Sequence, residues 1–251
     1  MTSITFSNIY KEGKKIEDSA LFIHVHNQEM LLQYDSNFIV FKSMPSSEEF
    51  LRAYSYLRNF HEKYNQKHVR FYFPENMELP PNLQKLFKYE DFTVGILELY
   101  HIDPDTFSVP EGNPDITVEA VTVQTLQDYL ALQYDFTKEY GEEFALRKQE
   151  KLIADFYAAH KQQVIAYYRG APAGSVDVIL SNTTAEIDGL GVKEQFQKKG
   201  IGTALQHWVM KQYADQTVIL VANGEDTPRD MYRKQGYQYG GFQYELLKVY
   251  E

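Results

Sequence analysis

A short segment with two glycines has the residue types needed to hold a phosphate group. It reads Gln197-Lys198-Lys199-Gly200-Ile201-Gly202-Thr203 and comes soon after an apolar stretch that ends in Leu190-Gly191-Val192. Gly200 and Gly202 leave room for a ligand to approach closely, and successive backbone N–H groups at the start of a helix attract negatively charged oxygens. The spacing therefore predicts a site for a pyrophosphate.

Other phosphate-binding motifs fit the sequence less well. The chain has no G-x-x-x-x-G-K-[S/T] sequence, and neither Gly189-x-Gly191 nor Gly200-x-Gly202 continues to the third glycine of a dinucleotide fingerprint. These observations argue against the usual ATP, GTP and NAD sites. A G-x-G sequence is also common in ordinary tight turns, so the flanking elements must decide between a turn and a ligand site.

The flanking residues predict a strand before this segment and an amphipathic helix after it. Residues 185–192 have the composition of a strand, and Ile201, Leu205, Trp208 and Val209 recur at helical spacing. Further strands are predicted at 116–121, 164–168, 174–180, 218–222 and 237–249, a helical region at 123–159 that Gly141 interrupts, a turn at 169–172, and a short helix at 228–234. This alternation predicts an α/β fold with helices covering a mixed sheet.

Taken together, these features resemble the GNAT superfamily of acyltransferases, whose signature is Q/R-x-x-G-x-G/A after a strand. Gln197 to Gly202 match that signature fully. The resemblance continues through residues 218–223 and through Asp230-Met231-Tyr232-Arg233-Lys234-Gln235-Gly236-Tyr237, which is similar to the family's Asn, Tyr, Gly-aromatic ending. It covers about residues 116–251 and implies the GNAT fold there, with acetyl-CoA as cosubstrate.

The resemblance also implies where acetyl-CoA lies. The pyrophosphate would bind residues 197–203, and pantetheine would pair with strand backbone near Leu190 and Val192, where strands 185–192 and 218–222 separate. A backbone N–H near Leu190 or Gly191 would polarise the thioester carbonyl. The resemblance implies that Asn223 would be a further cofactor contact. The acetyl group would pass directly to a primary amine of a small molecule or a peptide.

Three residues are candidates for the proton transfers of such a reaction. Tyr232 stands where the family commonly uses a tyrosine to protonate the departing thiolate, and a phenol of pKa about 10 can donate to a thiolate of pKa about 8.5. Glu186, six residues before Val192, stands where the histone-acetylating branch places a glutamate base, and Asp188 shares its strand face. Solvated carboxylates and a buried core tyrosine explain the same residues without catalysis.

Acceptor contacts are expected from the helical region around Gly141. Tyr134, Phe136, Tyr140, Glu142 and Glu143 cluster there in the sequence. Aromatic rings and carboxylates together suit a cationic amine, and a packed corner between two helices fits them equally well.

A proline-rich segment divides the chain. Residues 103–115 contain three prolines and a glycine among acidic and small residues, which is typical of a boundary. We predict an N-terminal α/β domain at 1–105, a linker at 106–115 and a GNAT domain at 116–251. The N-terminal part has predicted strands at 21–25, 38–42, 68–73 and 92–101, and helices at 46–64 and 81–89.

This strand and helix order repeats that of the second half. At the place of the phosphate segment, however, the first half reads Lys42-Ser43-Met44-Pro45-Ser46-Ser47, without glycines. The N-terminal domain is therefore either a degenerate GNAT-like domain that has lost cofactor binding or an unrelated small α/β domain.

Composition limits the remaining functions. The chain has no cysteine, which excludes disulfides, thiolate metal sites and a cysteine acyl-enzyme. The net charge of −10 argues against nucleic acid as a partner and mildly favours cationic ligands, although ordinary surface charge gives the same balance. No run approaches the roughly 18 apolar residues of a membrane span, and no secretory leader is evident, so a cytoplasmic protein without membrane contact is expected.

Two open questions concern metals and catalysis. His24 and His26 share one face of a predicted strand, but no carboxylate or third histidine stands at ligand spacing, so the sequence predicts no metal site. An active N-acetyltransferase and a catalytically silent acyl-CoA-binding regulatory module both fit the phosphate segment, and Tyr232 favours the enzyme. The sequence leaves open the acceptor, the acyl chain and whether two chains form a homodimer.

Overall fold

The computed structural model describes residues 3–108, 112–224 and 229–250. Its strands are β1 (Lys14–Asp18), β2 (Phe22–His26), β3 (Phe38–Phe41), β4 (His68–Tyr72), β5 (Thr93–Ile102), β6 (Ile116–Ala120), β7 (Lys161–Tyr168), β8 (Ala171–Leu180), β9 (Thr184–Val192), β10 (Thr217–Asn223) and β11 (Gln238–Val249). Its α-helices are α1 (Ser47–Glu62), α2 (Pro81–Tyr89), α3 (Leu126–Thr137), α4 (Glu142–Phe156), α5 (Ile201–Gln212) and α6 (Arg229–Gln235). The mixed α/β class predicted from the sequence is confirmed.

The described residues form two compact units. The first contains those of 1–99, 222–227 and 240–251, and the second contains those of 100–221 and 228–239. The first unit is therefore not the single N-terminal segment that the proline-rich boundary predicts. The reason is long-range strand pairing, because residues 245–249 of β11 pair antiparallel with residues 68–72 of β4.

In the first unit, the strands follow the order β1-β2-β3-β4, then β11 and β5. The β3–β4 pair is parallel, and α1 makes the crossover between these two strands. Ser46 caps α1: its hydroxyl accepts from the Glu49 N–H, and the Glu49 carboxylate accepts from the Ser46 N–H. The core beneath α1 and α2 is rich in phenylalanine, and burying each such ring contributes roughly 1.5–3 kcal/mol.

In the second unit, the strands follow the order β10-β9-β8-β7-β6. The β9–β10 pair is parallel, and the β6–β7, β7–β8 and β8–β9 pairs are antiparallel. Ile201, Leu205 and Val209 of α5 are fully buried, as their helical spacing predicts, and Trp208 is half-buried. Gly141 separates α3 from α4 at a positive φ of 108°, the break that the sequence predicts.

Three details differ from the sequence-based expectations or add to them. β1 has no predicted counterpart, because its sequence KKIED lacks apolar alternation and its residues are mostly exposed. The predicted turn at 169–172 is shorter, since Ala171 and Pro172 already belong to β8 and pair with β7. Among the described residues, no helix is long and apolar enough to cross a bilayer.

Gly174→Ala is expected to destabilise the fold. A β-carbon on Gly174 would lie 2.8 Å from the Gly191 carbonyl oxygen and 3.0 Å from Cγ2 of Ile201, in a fully packed position. Overpacking of this kind costs about 1–3 kcal/mol of the free energy of unfolding, measurable by urea denaturation. Gly112→Ala is the control, because no atom lies within 4 Å of its added carbon. Equal stability of the two variants would contradict the packing described for Gly174.

Candidate functional site

The C-terminal half of β9 contains a bulge. Ser175 of β8 pairs with Gly191 and Asp177 pairs with Asp188, so two β9 residues, Gly189 and Leu190, stand opposite a single β8 residue. Gly189 adopts a positive φ of 58°, a conformation that glycine adopts without steric cost. Bulges of this kind change the direction of neighbouring backbone and side-chain groups, and they are common beside active sites.

On its other edge, β9 separates from β10. The parallel register runs from Thr217 with Thr184 to Leu220 with Ile187. β9 then continues for five residues, Asp188 to Val192, past the last of these pairs. The two parallel strands thus part at their carboxyl ends, where open α/β sheets bind ligands.

The start of α5 lies beside this strand end and carries no side-chain cap. Gly200 is the N-cap residue, with φ 91° and ψ 5°, and within the described part of the chain this helix start has no side-chain cap hydrogen bond. Lys198 has a φ of 60°, which is uncommon for a residue with a side chain. The first N–H groups of a helix have no partner within the helix, so those of Ile201, Gly202 and Thr203 form a concentrated donor group with a partial positive charge.

The two predicted halves of the phosphate-binding region converge. A β-carbon on Gly202 would lie 3.6 Å from Cδ2 of Leu190 and 3.9 Å from Cγ2 of Val192, so the side of α5 that bears Gly202 faces the end of β9. Gln197 Nε2 donates to the Val192 carbonyl at 3.5 Å. Lys199 lies with its Nζ 5.2 Å from the centre of the Tyr168 ring. The site accordingly combines backbone donors with two exposed lysines, Lys198 and Lys199.

Gly191 points to the opposite face of β9, toward α3. A β-carbon there would lie 2.9 Å from Cε2 of Phe136, one of the residues expected to contact the acceptor. The other members of that expected group lie in more open positions: Tyr134 is half-buried, while Tyr140, Glu142 and Glu143 are exposed. Among the described contacts of these five residues, only that of Phe136 is with β9.

A carboxylate pair lies on the same face as Phe136. Asp188 is exposed and stands directly opposite Asp177 of β8, whereas Glu186 is buried, with 8% of its surface exposed. The Tyr129 hydroxyl donates to Asp177 Oδ1 at 2.6 Å. Burial, and to a lesser extent the neighbouring Asp188, raises the pKa of Asp177 to about 6, although the Tyr129 hydrogen bond opposes this change.

Asp177 and Tyr129 are absent from the residues predicted from the sequence. The available signal was a single acidic residue inside an apolar strand, in the sequence Val176-Asp177-Val178. An aspartate at such a position is seldom left without a hydrogen-bonding partner. Nothing local indicates that the partner is Tyr129, which lies 48 positions away in the chain.

Tyr232 lies on α6 within a group of tyrosines. Its ring centre is 4.9 Å from that of Tyr100 and 5.3 Å from that of Tyr237, and burial raises the pKa of its phenol. The Tyr237 hydroxyl donates to Gln206 Oε1 of α5 at 2.8 Å, which ties this group to the helix that starts at Gly200. Asn223 is the exposed last residue of β10 and belongs to the first compact unit.

The site combines a parted parallel strand pair, a bulged strand and a helix start without a side-chain cap, an arrangement suited to a negatively charged ligand. Residues 123–237 match the Acetyltransferase (GNAT) family, and residues 4–100 match a domain of unknown function, DUF5613. Residues 123–237 belong to the GNAT superfamily. This membership supports acyl transfer as the general type of activity.

Several solved structures share the fold of this chain. A functionally unknown conserved protein from Staphylococcus epidermidis ATCC 12228 is 33% identical, with 99% of this chain and 98% of that chain covered and a TM-score of 0.90. A GCN5-related N-acetyltransferase from Kribbella flavida shares the fold at 15% identity, with coverages of 94% and 90% and a TM-score of 0.64. A tandem GNAT protein from the clavulanic acid biosynthesis pathway does so at 11% identity, with coverages of 84% and 75% and a TM-score of 0.52. No curated protein sequence matches the chain.

Asp177→Asn is expected to remove a pH-dependent loss of stability. The folded protein holds the Asp177 proton more tightly than the unfolded chain does, because its pKa rises from 3.8 to about 6. The wild-type free energy of unfolding should therefore fall as the pH rises from about 4 to about 6, by at most about 3 kcal/mol. Asparagine cannot ionise and still accepts the Tyr129 hydrogen bond.

Urea denaturation at pH 4, 5, 6 and 7 measures this contribution. Glu119→Gln makes the same chemical change at an exposed strand position and serves as the control. If Asp177→Asn loses stability over this pH range as steeply as the wild-type protein, another group is responsible for the change.

Proposed function

We propose that this protein is an acetyl-CoA-dependent N-acetyltransferase that acetylates a primary amine of a small molecule or a peptide. The observation that carries the proposal is the uncapped start of α5 beside the parted end of β9. A pyrophosphate fits this place, because it would accept hydrogen bonds from the N–H groups of Ile201, Gly202 and Thr203. Lys198 and Lys199 would add positive charge.

The end of β9 would hold the rest of the cofactor. Past Ile187, the β9 backbone extends beyond its pairing with β10, so amide groups of a pantetheine chain can pair with it near Leu190 and Val192. The bulge at Gly189 and Leu190 would direct a backbone N–H toward the thioester oxygen. When bound, acetyl-CoA supplies an acetyl group already activated as a thioester. Asn223 remains a proposed further contact.

The chain's own residues would prepare the amine. At pH 7, deprotonating a lysine-like amine costs about 4.6 kcal/mol, and deprotonating an α-amine costs only about 1 kcal/mol. Asp188 is exposed and Glu186 is buried, so Asp188 is better placed to meet an acceptor from solvent. The Asp177 and Asp188 carboxylates beside Phe136 would attract and orient a cationic amine.

Tyr232 would then complete the proton transfers. Its raised pKa keeps the phenol protonated at neutral pH, so it can donate to the departing thiolate. Its packing against Tyr100 and Tyr237 would fix the direction of the hydroxyl.

We further infer that the N-terminal part is a GNAT-like domain that does not bind the cofactor. Its α1 corresponds in order to α5 and follows a parallel strand in the same way. The N-terminus of α1 is closed by the Ser46 hydroxyl and the Glu49 carboxylate, and that negative charge would repel a phosphate. The fold match to a tandem GNAT protein supports this inference.

Acetyl-CoA and CoA, but not ATP or NAD, should raise the thermal unfolding midpoint of the protein. Ligand at 100 times its dissociation constant stabilises the folded state by about 2.7 kcal/mol. Gly202→Glu should abolish the response, because it adds a negative charge at the helix start. Gly202→Ala is the matched control, since its β-carbon would make only ordinary contacts of 3.6 Å or more. No shift of the wild-type midpoint at millimolar acetyl-CoA would refute the cofactor site.

Tyr232→Phe should lower kcat about 100-fold and leave stabilisation by acetyl-CoA unchanged, as expected for loss of a general acid. Thiol release over a panel of α-amines, lysine-type amines and short peptides measures the activity. Tyr239→Phe is the control, because Tyr239 also contacts Tyr100, at 5.7 Å, and is half exposed. An unchanged kcat would assign Tyr232 to packing alone. Acetyl-CoA binding without turnover of any amine would instead favour a regulatory acyl-CoA-binding module.

A further inference from the structure

Three histidines of the first compact unit converge on one buried point. His24 and His26 lie two residues apart on β2 and therefore share a face, and His61 comes from the last turn of α1. Their exposed fractions are 0%, 2% and 1%. The three ring centres form a triangle with sides of 6.3 Å, and one ring nitrogen of each lies within 4.8 Å of the other two.

Ring nitrogens of this histidine cluster lack hydrogen-bond partners. Among the described residues, His24 Nε2, His61 Nε2 and both ring nitrogens of His26 are buried and make no hydrogen bond. A buried polar atom without a partner costs about 1–3 kcal/mol. Several such atoms at one point require an explanation, and a ligand shared by all three rings supplies one.

In His61 and His24, the Nδ1 atom has a hydrogen-bond partner, as the second ring nitrogen of a metal-ligating histidine does. His61 Nδ1 lies 2.6 Å from the His68 carbonyl oxygen, which can only accept, so Nδ1 carries the proton and Nε2 presents its lone pair. His24 Nδ1 lies 3.1 Å from the Tyr56 hydroxyl, and that hydroxyl also hydrogen bonds the Glu17 carboxylate.

A Tyr56 hydroxyl that donates to Glu17 can accept from His24 Nδ1–H, which leaves His24 Nε2 free to coordinate. Second partners of this kind fix the tautomer of ligating histidines in metal sites.

The surroundings suit a small ion. The Phe60 ring stands edge-on to His24 and His26, with centre distances of 4.6 Å and 5.0 Å, and forms an apolar wall. A surface cavity of about 230 Å³ is lined in part by His61, His68 and Gln66, and it has room for several waters. This cavity offers a route by which an ion reaches His61.

We propose that His24, His26 and His61 bind one divalent transition-metal ion, with Zn²⁺ the best match to three imidazoles and an open fourth position. Zinc–nitrogen bonds of about 2.0–2.1 Å place tetrahedral ligands about 3.3 Å apart, so the three rings close slightly around the ion. The site lies entirely on β2 and α1, in the part of the chain for which no cofactor role is proposed. The proposed metal site therefore does not depend on whether the protein transfers acetyl groups.

The test is metal binding by the full, untagged chain after treatment with a chelator. Titration with Co²⁺ should produce the intense visible absorption of tetrahedral cobalt, saturating at one ion per chain, and Zn²⁺ should displace it. Zn²⁺ should also raise the thermal unfolding midpoint. Weak octahedral absorption without saturation, or no change of the midpoint with Zn²⁺, would overturn the proposal whatever the variants do.

His26→Phe should abolish the tetrahedral cobalt spectrum. Neither of its buried ring nitrogens makes a hydrogen bond, so the metal-free variant should be at least as stable as the metal-free wild type. His68→Phe is the matched control, because His68 is equally buried, with 1% exposed, and lies outside the histidine cluster. It should still bind one ion. His24→Gln gives a second test of the same loss. Unchanged cobalt binding by both cluster variants would assign the histidines to aromatic packing.

Discussion

The pairing of β9 changes along its length, and the candidate site depends on that change. From Ala185 to Ile187 the strand has neighbours on both edges, and from Asp188 onward the register with β10 has ended while β8 still pairs with the other edge. The bulge at Gly189 and Leu190 turns the strand at this point. Backbone donors and acceptors of a strand are strong hydrogen-bonding groups, so a strand end of this kind favours a ligand with amide groups of its own.

Two helix starts in the chain differ in how they are capped, and the difference bears on where an anion is expected to bind. α1 begins with Ser46 and Glu49, whose side chains accept from the Glu49 and Ser46 N–H groups, and the Glu49 carboxylate places a negative charge there. α5 begins with Gly200 in a left-handed conformation and has no side-chain cap. The helix macrodipole favours an anion at both helix starts. At α5, no capping side chain competes with an anion for the first N–H groups. Membership of the GNAT superfamily agrees with this difference, because the family match covers α5 and not α1.

The alternation of side chains on β9 separates two tasks. Leu190 and Val192 face the start of α5, whereas Gly191 faces Phe136 of α3 so closely that a side chain would not fit. Asp188 and Asp177 lie on the Phe136 side, with Tyr129 holding Asp177 from α3. The residues of β9 proposed to contact the cofactor therefore lie on one face of the strand, and those proposed to contact the acceptor lie on the other.

The sequence by itself determined the features that depend on near neighbours. Helical spacing identified the buried stripe of α5, Pro81–Tyr89 was recognised as a helix, and Gly141 was recognised as a break. The glycine spacing from Gln197 to Gly202 located the helix start that belongs to the GNAT family. These features follow from residues within a few positions of one another, because periodicity and backbone preference are properties of short stretches of sequence.

Only the tertiary structure decided which distant residues meet. The sequence predicted no metal site because His24 and His26 had no third partner nearby, and α1 brings His61 to them from another part of the chain. The Tyr129–Asp177 hydrogen bond and the pairing of β11 with β4 join residues 48 and more than 170 positions apart. Such contacts depend on how helices and strands pack after they form, and local periodicity specifies which face is buried without specifying what covers it.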